Sequence, residues 1–358
     1  MKIHMITNSF SNKLGGAERL VNLLHCHLRE NDMHSFVLGI VIDNENTLPD
    51  SSSIGLKTPY DIRAFFSIKR YCKNNIDTND IIHVHLFPAN LYCAILKRIG
   101  YIKGELITTE HSTYNRRRNK IWGQLIDNFI YNSYDHIIAI SEGVKRNLIE
   151  WIPNVTKKIS VISNGCHMPL KNPIIRSAKK GTITILSIGS LSEQKNYANT
   201  LYSLREINKL DFRWLIAGEG PLKDKLIKKR DSFNLKGKVE FLGRVDPILP
   251  LLKDADIFLM ASKWEGFGLA AVEAMNASLP LVASDIPGLS EVVKTNPPCA
   301  LLIDPLIPDS IASNIKRLIN SYDLRLQFGK RAFEHAKRFE INIMFNNYIN
   351  FYKMIDKK

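Results

Sequence analysis

The feature that most constrains this chain is an alternation of short, β-branched apolar runs with amphipathic segments along most of its length. A strand, a helix and a further strand form the repeating unit of α/β proteins, in which helices cover both faces of a parallel sheet. We therefore predict strands in the first half over residues 3–7, 35–42, 81–85, 105–109, 136–140 and 159–162. The segments between them predict helices over residues 17–29, 61–73, 89–98, 121–131 and 142–149.

The alternation stops at residues 168–180 and then starts again. This segment has two prolines and four basic residues without apolar periodicity, which is typical of a linker. After it, strands are predicted over residues 183–188, 213–217, 239–242, 257–260 and 281–283, and helices over 196–210, 222–234, 247–253 and 268–276. Three more helices are predicted at the end, over residues 309–321, 324–339 and 341–355.

These patterns predict two facing Rossmann-like α/β domains with a cleft between them and a helical C-terminal tail. The first domain is expected over residues 1–168, a linker over 169–180 and the second domain over 181–340. The last helix, within residues 341–358, is expected to pack back on the N-terminal domain. A length of 358 residues allows each domain its own core.

The net charge of +14 favours three kinds of anionic partner: nucleic acid, a membrane surface or phosphorylated small molecules. The sequence has no helix-turn-helix, zinc-finger or RNP-like motif, so we predict no nucleic-acid partner. No apolar run reaches the roughly 18–20 residues that span a bilayer, and the N-terminus does not resemble a signal peptide. Five singly scattered cysteines predict a cytoplasmic protein without a disulfide framework.

The most informative motif is a glycine-containing loop followed by an apolar helix, K-W-E-G-F-G-L-A-A-V-E-A-M at residues 263–275. Gly266 and Gly268 would let the backbone approach a ligand closely, and the first N–H groups of the helix would suit a diphosphate. Glu265 precedes the helix and Glu273 lies inside it, so the two cannot form a close proton-sharing pair. Since a carboxylate on an apolar helix is usually paired or bound, we predict that they hold two ends of an extended ligand.

This motif, followed by P-L-V-A-S-D at residues 280–285, resembles the donor signature of the family-4 retaining glycosyltransferases. That family has the GT-B fold, two Rossmann-like domains with the active site between them. Similar landmarks occur in the family's order across nearly the whole chain. They are G-G-A-E at 15–18, H at 111, S-E at 141–142, S-N-G at 163–165, G-S-L-S-E-Q-K-N at 189–196, A-G-E-G-P at 217–221 and F-L-G at 241–243.

The resemblance implies a role for each residue of the donor site. Glu273 would bind the ribose of the nucleotide, Glu265 would contact the transferred sugar, and Lys195 would pair with the diphosphate. The backbone facing the donor's phosphates and sugar would come from the glycine-containing loop and the start of the helix, at Gly266, Phe267, Gly268 and Leu269.

The resemblance also implies roles for residues in the first half of the chain. His111 would lie near the reacting face of the sugar, while Gly15 and Gly16 would let the first loop approach the phosphates and the acceptor. The predicted catalytic residues are thus Glu265, His111 and Lys195. The fixed cation of Lys195 would stabilise the charge on the departing nucleoside diphosphate.

One donor-binding position departs from the family pattern. Ser190 stands where the family usually has an arginine that also binds phosphate, so a charge-assisted partner is missing. We hypothesise that Lys263 or Arg244 compensates for it.

The histidines of H-V-H at residues 83–85 share one face of a strand and could bind a metal as a pair. No third ligand is apparent nearby, and the resemblance implies transfer without an essential metal. We therefore predict neither a metal nor any other cofactor.

A basic run with aromatic neighbours allows two interpretations, a solvated charged face or a contact with anionic lipid headgroups. Many relatives use lipid-linked acceptors, which favours peripheral contact with the inner face of a membrane. The residues of this run are Arg116, Arg117, Arg118 and Lys120.

The sequence and the resemblance together predict retaining transfer of a hexose or N-acetylhexosamine from a UDP- or GDP-linked sugar. The acceptor would be a hydroxyl of a glycan or lipid-linked glycan, in the synthesis of a cell-surface polysaccharide such as lipopolysaccharide or capsule. A nucleotide-sugar epimerase and a non-catalytic binding partner with the same fold stay open as alternatives. An NAD-dependent dehydrogenase would need a G-x-G-x-x-G motif, which neither residues 15–16 nor residues 218–220 complete.

Overall fold

The computed structural model describes residues 1–10, 15–42, 48–178 and 181–356, which divide into two compact units. The first unit comprises Met1–Ser163 and Asn342–Lys358, and the second comprises Asn164–Ile341. Each unit contains a parallel sheet covered by helices, so the predicted α/β class is confirmed.

The first unit has a seven-stranded sheet with the strand order β3-β2-β1-β4-β5-β6-β7. Its strands are β1 (Ile3–Thr7), β2 (Ser35–Val41), β3 (Ser51–Leu56), β4 (Ile81–His85), β5 (Glu105–Glu110), β6 (His136–Ala139) and β7 (Ile159–Val161). The helices between them are α1 (Gly16–Glu30), α2 (Arg63–Asn75), α3 (Ala89–Arg98), α4 (Gly123–Asn132) and α5 (Glu142–Trp151).

The second unit has a six-stranded sheet with the order β10-β9-β8-β11-β12-β13. Its strands are β8 (Ile183–Ile188), β9 (Phe212–Ala217), β10 (Val239–Gly243), β11 (Ile257–Met260), β12 (Leu281–Ser284) and β13 (Ala300–Ile303). Its helices are α6 (Tyr197–Glu206), α7 (Lys223–Ser232), α8 (Leu249–Asp254), α9 (Leu269–Asn276), α10 (Ser290–Val293), α11 (Pro308–Asn320) and α12 (Tyr322–Ala336).

Both sheets have the doubly wound strand order, in which the first and fourth strands of a unit lie side by side. The central strands are buried on both faces, which explains why most of their residues are apolar. Two strands were not predicted. The edge strand β3 reads S-S-S-I-G-L, which is poor in strand-forming residues, and β13 has four residues between proline-containing segments.

The predicted linker at residues 169–180 falls within the second unit, and hydrogen bonds connect the described part of it to that unit. The division between the units falls after Ser163, five residues before the predicted boundary. The guanidinium of Arg176 donates hydrogen bonds to the carbonyls of Ala255 at 2.6 Å and Ser278 at 2.9 Å. A basic segment of this kind resembles a linker in sequence, but its arginine fixes the segment in place by donating hydrogen bonds to several carbonyls. Residues 179 and 180 lie outside the described residues.

The last helix, α13 (Ile341–Asp356), belongs almost entirely to the first unit. There the hydroxyl of Tyr352 lies 2.7 Å from Nδ1 of His83 in β4, and both side chains are buried. Among the described residues, none of the helices combines the length and the apolar character needed to cross a membrane.

Candidate active site

Two loops of the second unit meet because the strands before them are neighbours. β8 ends at Ile188 and β11 ends at Met260, and these strands pair directly where the strand order reverses. The loop after β8 therefore lies beside the loop after β11. In doubly wound sheets this is the position at which ligands bind.

The predicted diphosphate ligand Lys195 and the predicted sugar ligand Glu265 form an ion pair between these loops. Nζ of Lys195 lies 2.6 Å from Oε1 of Glu265, and the two side chains are 15% and 8% exposed. Gln194 strengthens the junction, because its Nε2 donates to the carbonyl of Trp264 at 3.0 Å and to Oε2 of Glu265 at 3.3 Å. The site thus holds a fixed cation and a fixed carboxylate in contact, which the sequence did not predict.

Gly189 makes room for the lysine. Its φ of +153° is one that side-chain-bearing residues rarely adopt, and a Cβ there would lie 2.7 Å from Cε of Lys195. Tyr197 also contacts this glycine, since its hydroxyl donates a hydrogen bond to the carbonyl of Gly189 at 3.3 Å. Burial and the nearby charge of Glu265 raise the pKa of Tyr197, so it stays a neutral donor. The path of Lys195 is therefore set by its surroundings.

The loop between Glu265 and α9 is held by a second glycine-dependent contact. Gly268 precedes the helix with a φ of +96°, and a Cβ there would meet Leu289 at 2.7 Å. A Cβ on Gly288 would lie 2.3 Å from the carbonyl oxygen of Glu265, so the loop after β12 packs on the loop after β11. The side chain of Phe267 is buried against Phe339, with ring centroids 5.4 Å apart, and the contact of the loop backbone with the donor stays a prediction.

Glu273 lies on the one partly open face of α9. The other faces are buried through Ala271, Val272, Ala274, Met275 and Asn276. Leu269, Ala270 and Glu273 are half-buried and share a face, because residues one turn apart lie above one another. Glu273 is therefore accessible on this face, and its role in binding one end of an extended ligand stays a prediction.

The residues proposed to replace the missing arginine lie near the same loops. Ser190 is exposed, and its hydroxyl lies 3.0 Å from that of Ser192. Lys263 donates from its backbone to the carbonyl of Gln194 at 2.8 Å, and its Nζ lies 3.5 Å from Glu193. Arg244 is exposed and directly follows β10. The compensation by either cation stays a prediction.

The first unit places His111 beside a second histidine. His85 ends β4 and His111 follows the adjacent strand β5, so Nδ1 of His85 lies 3.2 Å from Nε2 of His111. Burial lowers the pKa of His111 to about 4. Burial, together with the nearby His83 and His111, lowers the pKa of His85 well below its usual range. The pair is therefore neutral at pH 7, with one ring donating to the other.

The surroundings of His85 favour one arrangement of the proton. In the described part of the chain, its buried Nε2 has no hydrogen-bond partner. A buried lone pair is less costly to leave unsatisfied than a buried N–H group, so Nδ1 of His85 carries the proton and donates to His111. Nδ1 of His111 then also carries a proton, which can be donated to a ligand hydroxyl. The sequence analysis considered His85 only as part of a possible metal pair and did not predict its contact with His111, although the neighbouring ends of β4 and β5 would have indicated it.

The alternative of a metal pair at residues 83–85 finds no support in the geometry. Nδ1 of His83 lies 2.7 Å from the hydroxyl of Tyr352, and Nε2 lies 2.7 Å from that of Thr109, so both ring nitrogens have partners within the protein. Across the described ranges, no group of three or more histidine, cysteine, aspartate or glutamate side chains is placed to hold a metal ion.

The glycines of the first loop lie at the start of α1. Gly15 precedes the helix in an extended conformation, and Gly16 is its first residue. A Cβ at Gly15 would come within 3.2 Å of Oε2 of Glu18. Residues 11–14 lie outside the described residues, so the contact of this loop with the donor and acceptor stays a prediction.

Two members of the basic run have structural roles that were not predicted. Arg117 pairs with the buried Asp127 at 2.6 Å, and Arg118 donates to the carbonyl of Thr113 at 2.9 Å. The prediction of four lipid-facing cations is therefore wrong for these two, because an internal carboxylate and a carbonyl bind them. Arg116 and Lys120 are exposed.

Comparison with known protein families finds a match in each half of the chain. The family described as "Glycosyltransferase Family 4" matches residues 14–168, and the family described as "Glycosyl transferases group 1" matches residues 171–335. Together the two matches extend over both units and include His111, Lys195, Glu265 and Glu273.

Two of the similar proteins are transferases whose names include undecaprenol-linked acceptors. A GalNAc-alpha-(1->4)-GalNAc-alpha-(1->3)-diNAcBac-PP-undecaprenol alpha-1,4-N-acetyl-D-galactosaminyltransferase from Campylobacter jejuni is 25% identical, over 96% of this chain and 95% of the relative. A UDP-Gal:alpha-D-GlcNAc-diphosphoundecaprenol alpha-1,3-galactosyltransferase from Escherichia coli is 26% identical, over 65% of this chain and 64% of the relative.

A solved structure shows the same fold over the whole chain. The Anabaena protein Alr3699/HepE, in complex with UDP, is 18% identical and superposes with a TM-score of 0.79, covering 99% of this chain and 100% of that chain. The two doubly wound units, the family matches and this likeness agree with one another. The chain belongs to the family-4 glycosyltransferases and is a glycosyltransferase with the GT-B fold.

Proposed function

We propose that the protein transfers a hexose or N-acetylhexosamine from a uridine diphosphate sugar, with retention of anomeric configuration, to a hydroxyl of a lipid-linked glycan. The observation that carries this proposal is the Lys195–Glu265 pair beside the start of α9. The cation suits the diphosphate of such a donor, and the carboxylate suits the hydroxyls of its sugar. The first N–H groups of the helix suit the oxygen that bridges the two.

Each residue has a defined role in the proposed reaction. Glu273 accepts hydrogen bonds from the ribose hydroxyls, and Glu265 accepts them from the transferred sugar. Lys195 and the backbone N–H groups of Gly268 and Leu269 stabilise the negative charge that builds on the departing diphosphate. His111 donates a hydrogen bond from Nδ1 to a hydroxyl of the sugar.

The bond changes balance without an added reactant. The bond between the anomeric carbon and the diphosphate oxygen breaks, and a bond to the acceptor oxygen forms on the same face of the sugar. The acceptor's proton passes to an oxygen of the departing diphosphate. Nζ of Lys195 lies 2.6 Å from Oε1 of Glu265, and the remaining lone pairs of this carboxylate can accept hydrogen bonds from the sugar. No metal is needed for these steps, and we expect activity to persist in EDTA.

The choice of uridine and of a lipid-linked acceptor is supported by the relatives. The Escherichia coli relative is named for UDP-Gal, and both relatives are named for undecaprenol-linked acceptors. Such acceptors belong to the assembly of cell-surface polysaccharides, the process in which we place this enzyme.

The first experiment identifies the donor base by thermal shift with UDP, GDP and ADP. We expect UDP to raise the melting temperature, and GDP and ADP to have much smaller effects. Stabilisation by GDP alone would show that the base is guanine and would still support the donor site. No stabilisation by any of the three nucleotides would contradict the proposal.

The second experiment follows transfer from UDP-sugars to an undecaprenol-diphosphate-linked glycan by NMR of the product. We expect the α configuration of the donor to be kept. Inversion would exclude the proposed bond changes. Conversion of the donor sugar without an acceptor would indicate an epimerase instead.

A further inference from the structure

The first unit exposes a row of large apolar side chains along α4 and the turn before it. Ile121 is fully exposed, Leu125 is 74% exposed, and Trp122 and Phe129 are exposed at 50% and 38%. The positions recur at the spacing of one helix face, which would normally be buried. Apolar rows of this size on a protein surface usually mark a contact with a partner or a membrane.

The exposed side of α4 is also free of charge. Asp127 is the one charged residue in residues 121–132, and it is buried on the opposite face with Ile130 and Tyr131. The outer face of α4 therefore carries apolar side chains and amides but no charge.

The turn that presents these side chains is firmly held. A Cβ at Gly123 would lie 1.8 Å from the carbonyl oxygen of Arg117, so the turn packs directly on the start of α4. Asp127 binds Arg117 at 2.6 Å and the indole nitrogen of Trp151 at 3.1 Å. Ile121 and Trp122 are thus exposed by a fixed backbone.

A second group of exposed apolar residues adjoins this turn. Tyr60, Ile62 and Phe66, at the start of α2, are 66%, 65% and 61% exposed. The ring of Tyr60 lies 6.2 Å from that of Phe87, over which Arg117 stacks at 4.2 Å. We call this surface the apolar face; its members are Tyr60, Ile62, Phe66, Ile121, Trp122, Leu125 and Phe129.

The stretch of sequence at residues 57–120, which includes or adjoins members of the apolar face, is basic. Residues 57–120 contain twelve lysines and arginines and five aspartates and glutamates, a net charge of +7, which is half of the chain's +14. Arg116 and Lys120 are exposed next to Ile121. Asp61, the acid nearest in sequence to Tyr60 and Ile62, is paired with Arg63 at 2.6 Å. The partner of this surface should therefore be apolar and anionic.

We propose that the apolar face docks the protein on an anionic lipid bilayer. The apolar side chains would enter the boundary between headgroups and acyl chains, with Tyr60 and Trp122 at the depth that tyrosine and tryptophan favour. Arg116 and Lys120 would bind lipid phosphates at its edge. The inference deepens the proposed function, because a lipid-linked acceptor is held in such a bilayer, but it rests on observations separate from the donor site.

The test uses the full chain and flotation with vesicles of phosphatidylcholine alone or with phosphatidylglycerol. The wild-type protein should bind the anionic vesicles, and rising salt should weaken binding. Replacing Ile121 and Leu125 together by serine should lower the partition coefficient by about tenfold or more. The matched control replaces Leu306 and Ile307 by serine, which removes exposed apolar surface from the second unit and should leave binding unchanged.

A second measurement locates the contact. Brominated lipids should quench tryptophan fluorescence in the wild-type protein, and Trp122→Phe should remove most of the quenching. No binding to anionic vesicles at low salt, or equal losses in the Ile121/Leu125 and Leu306/Ile307 variants, would overturn the proposal. The proposal would also be overturned if the wild-type protein were a dimer and the Ile121/Leu125 variant a monomer, because a second copy of the chain would then cover the apolar face. The rise in melting temperature with UDP, measured in the same variants, tests the donor site independently of vesicle binding.

Discussion

The two units each bring a pair of side chains together at the ends of neighbouring strands, and the two pairs differ in charge. In the second unit, Lys195 and Glu265 carry opposite charges 2.6 Å apart. In the first unit, His85 and His111 lie 3.2 Å apart and are neutral at pH 7, because burial lowers both pKa values.

The difference shows that similar positions at the strand ends of the two units carry groups of different charge. A cation fixed by a carboxylate suits a diphosphate whose charge grows during the reaction. A neutral imidazole that donates through one nitrogen suits a sugar hydroxyl and adds no charge. The comparison therefore predicts different responses to mutation and to pH in the two units.

The largest effect is expected from Lys195→Ala. We expect kcat/KM to fall about 100- to 1,000-fold, since one preorganised donor to the leaving group is lost. The free energy of unfolding should also fall by roughly 3 kcal/mol, because Glu265 is left buried without its cation. Transfer assays and urea unfolding measure the two effects.

The matched control for this prediction is Lys195→Ala combined with Glu265→Gln. Removing the uncompensated carboxylate should restore most of the stability but not the activity. Recovery of activity along with stability would show that the ion pair only supports the fold.

The neutral histidine pair should make the protein less stable in acid. The unfolded chain binds a proton at each histidine near pH 6.5, whereas His111 in the folded chain binds one only near pH 4. Stability should therefore fall as pH drops from about 6.5 towards 4, by about 1.4 kcal/mol per pH unit for this histidine. Urea unfolding at several pH values should show a smaller slope for His111→Gln, and an unchanged slope would contradict the assignment.

Gly189→Ala should perturb the charged pair without removing either charge. Its Cβ would lie 2.7 Å from Cε of Lys195, at a φ of +153° that alanine rarely adopts. We expect activity to fall about tenfold. Gly237→Ala is the control, because a Cβ there meets nothing within 4 Å and should cost little. Equal losses in both variants would argue against a specific effect on Lys195.

The smallest effect is expected from restoring the cation that the family usually has. Ser190→Arg should tighten donor binding about three- to tenfold by adding a charge-assisted hydrogen bond to the diphosphate. If Lys263 already compensates, the gain should be larger in the Lys263→Ala background. Titration of UDP into the four variants of this cycle tests the prediction, and weaker binding by Ser190→Arg would contradict it.

The fold and the local motifs could be predicted from the sequence, because they depend on short-range patterns. The strand alternation gave two α/β units, and the loop before α9 identified Glu265 and Glu273. The pairing of Lys195 with Glu265 could not be predicted, since the residues are 70 positions apart and meet only because β8 and β11 are neighbours.

The sequence predictions failed where the same local pattern is compatible with two different structures. The basic segment at residues 169–178 resembled a linker, yet Arg176 anchors it through backbone carbonyls. Arg117 resembled a surface cation, yet Asp127, ten positions further on, buries its charge. The apolar spacing of Ile121, Leu125 and Phe129 is that of a core-facing helix, and only the structure shows these side chains to be exposed.

The most direct test of the donor site is the equilibrium binding of UDP, measured by calorimetry for the wild-type protein, Glu273→Ala and Glu334→Ala. Glu273 lies on the partly open face of α9, whereas Glu334 lies on α12, where it pairs with Lys337. We predict that UDP binds the wild type and Glu334→Ala equally and binds Glu273→Ala at least about tenfold more weakly, from the loss of hydrogen bonds to a carboxylate. Equal affinity of all three proteins for UDP would contradict the account.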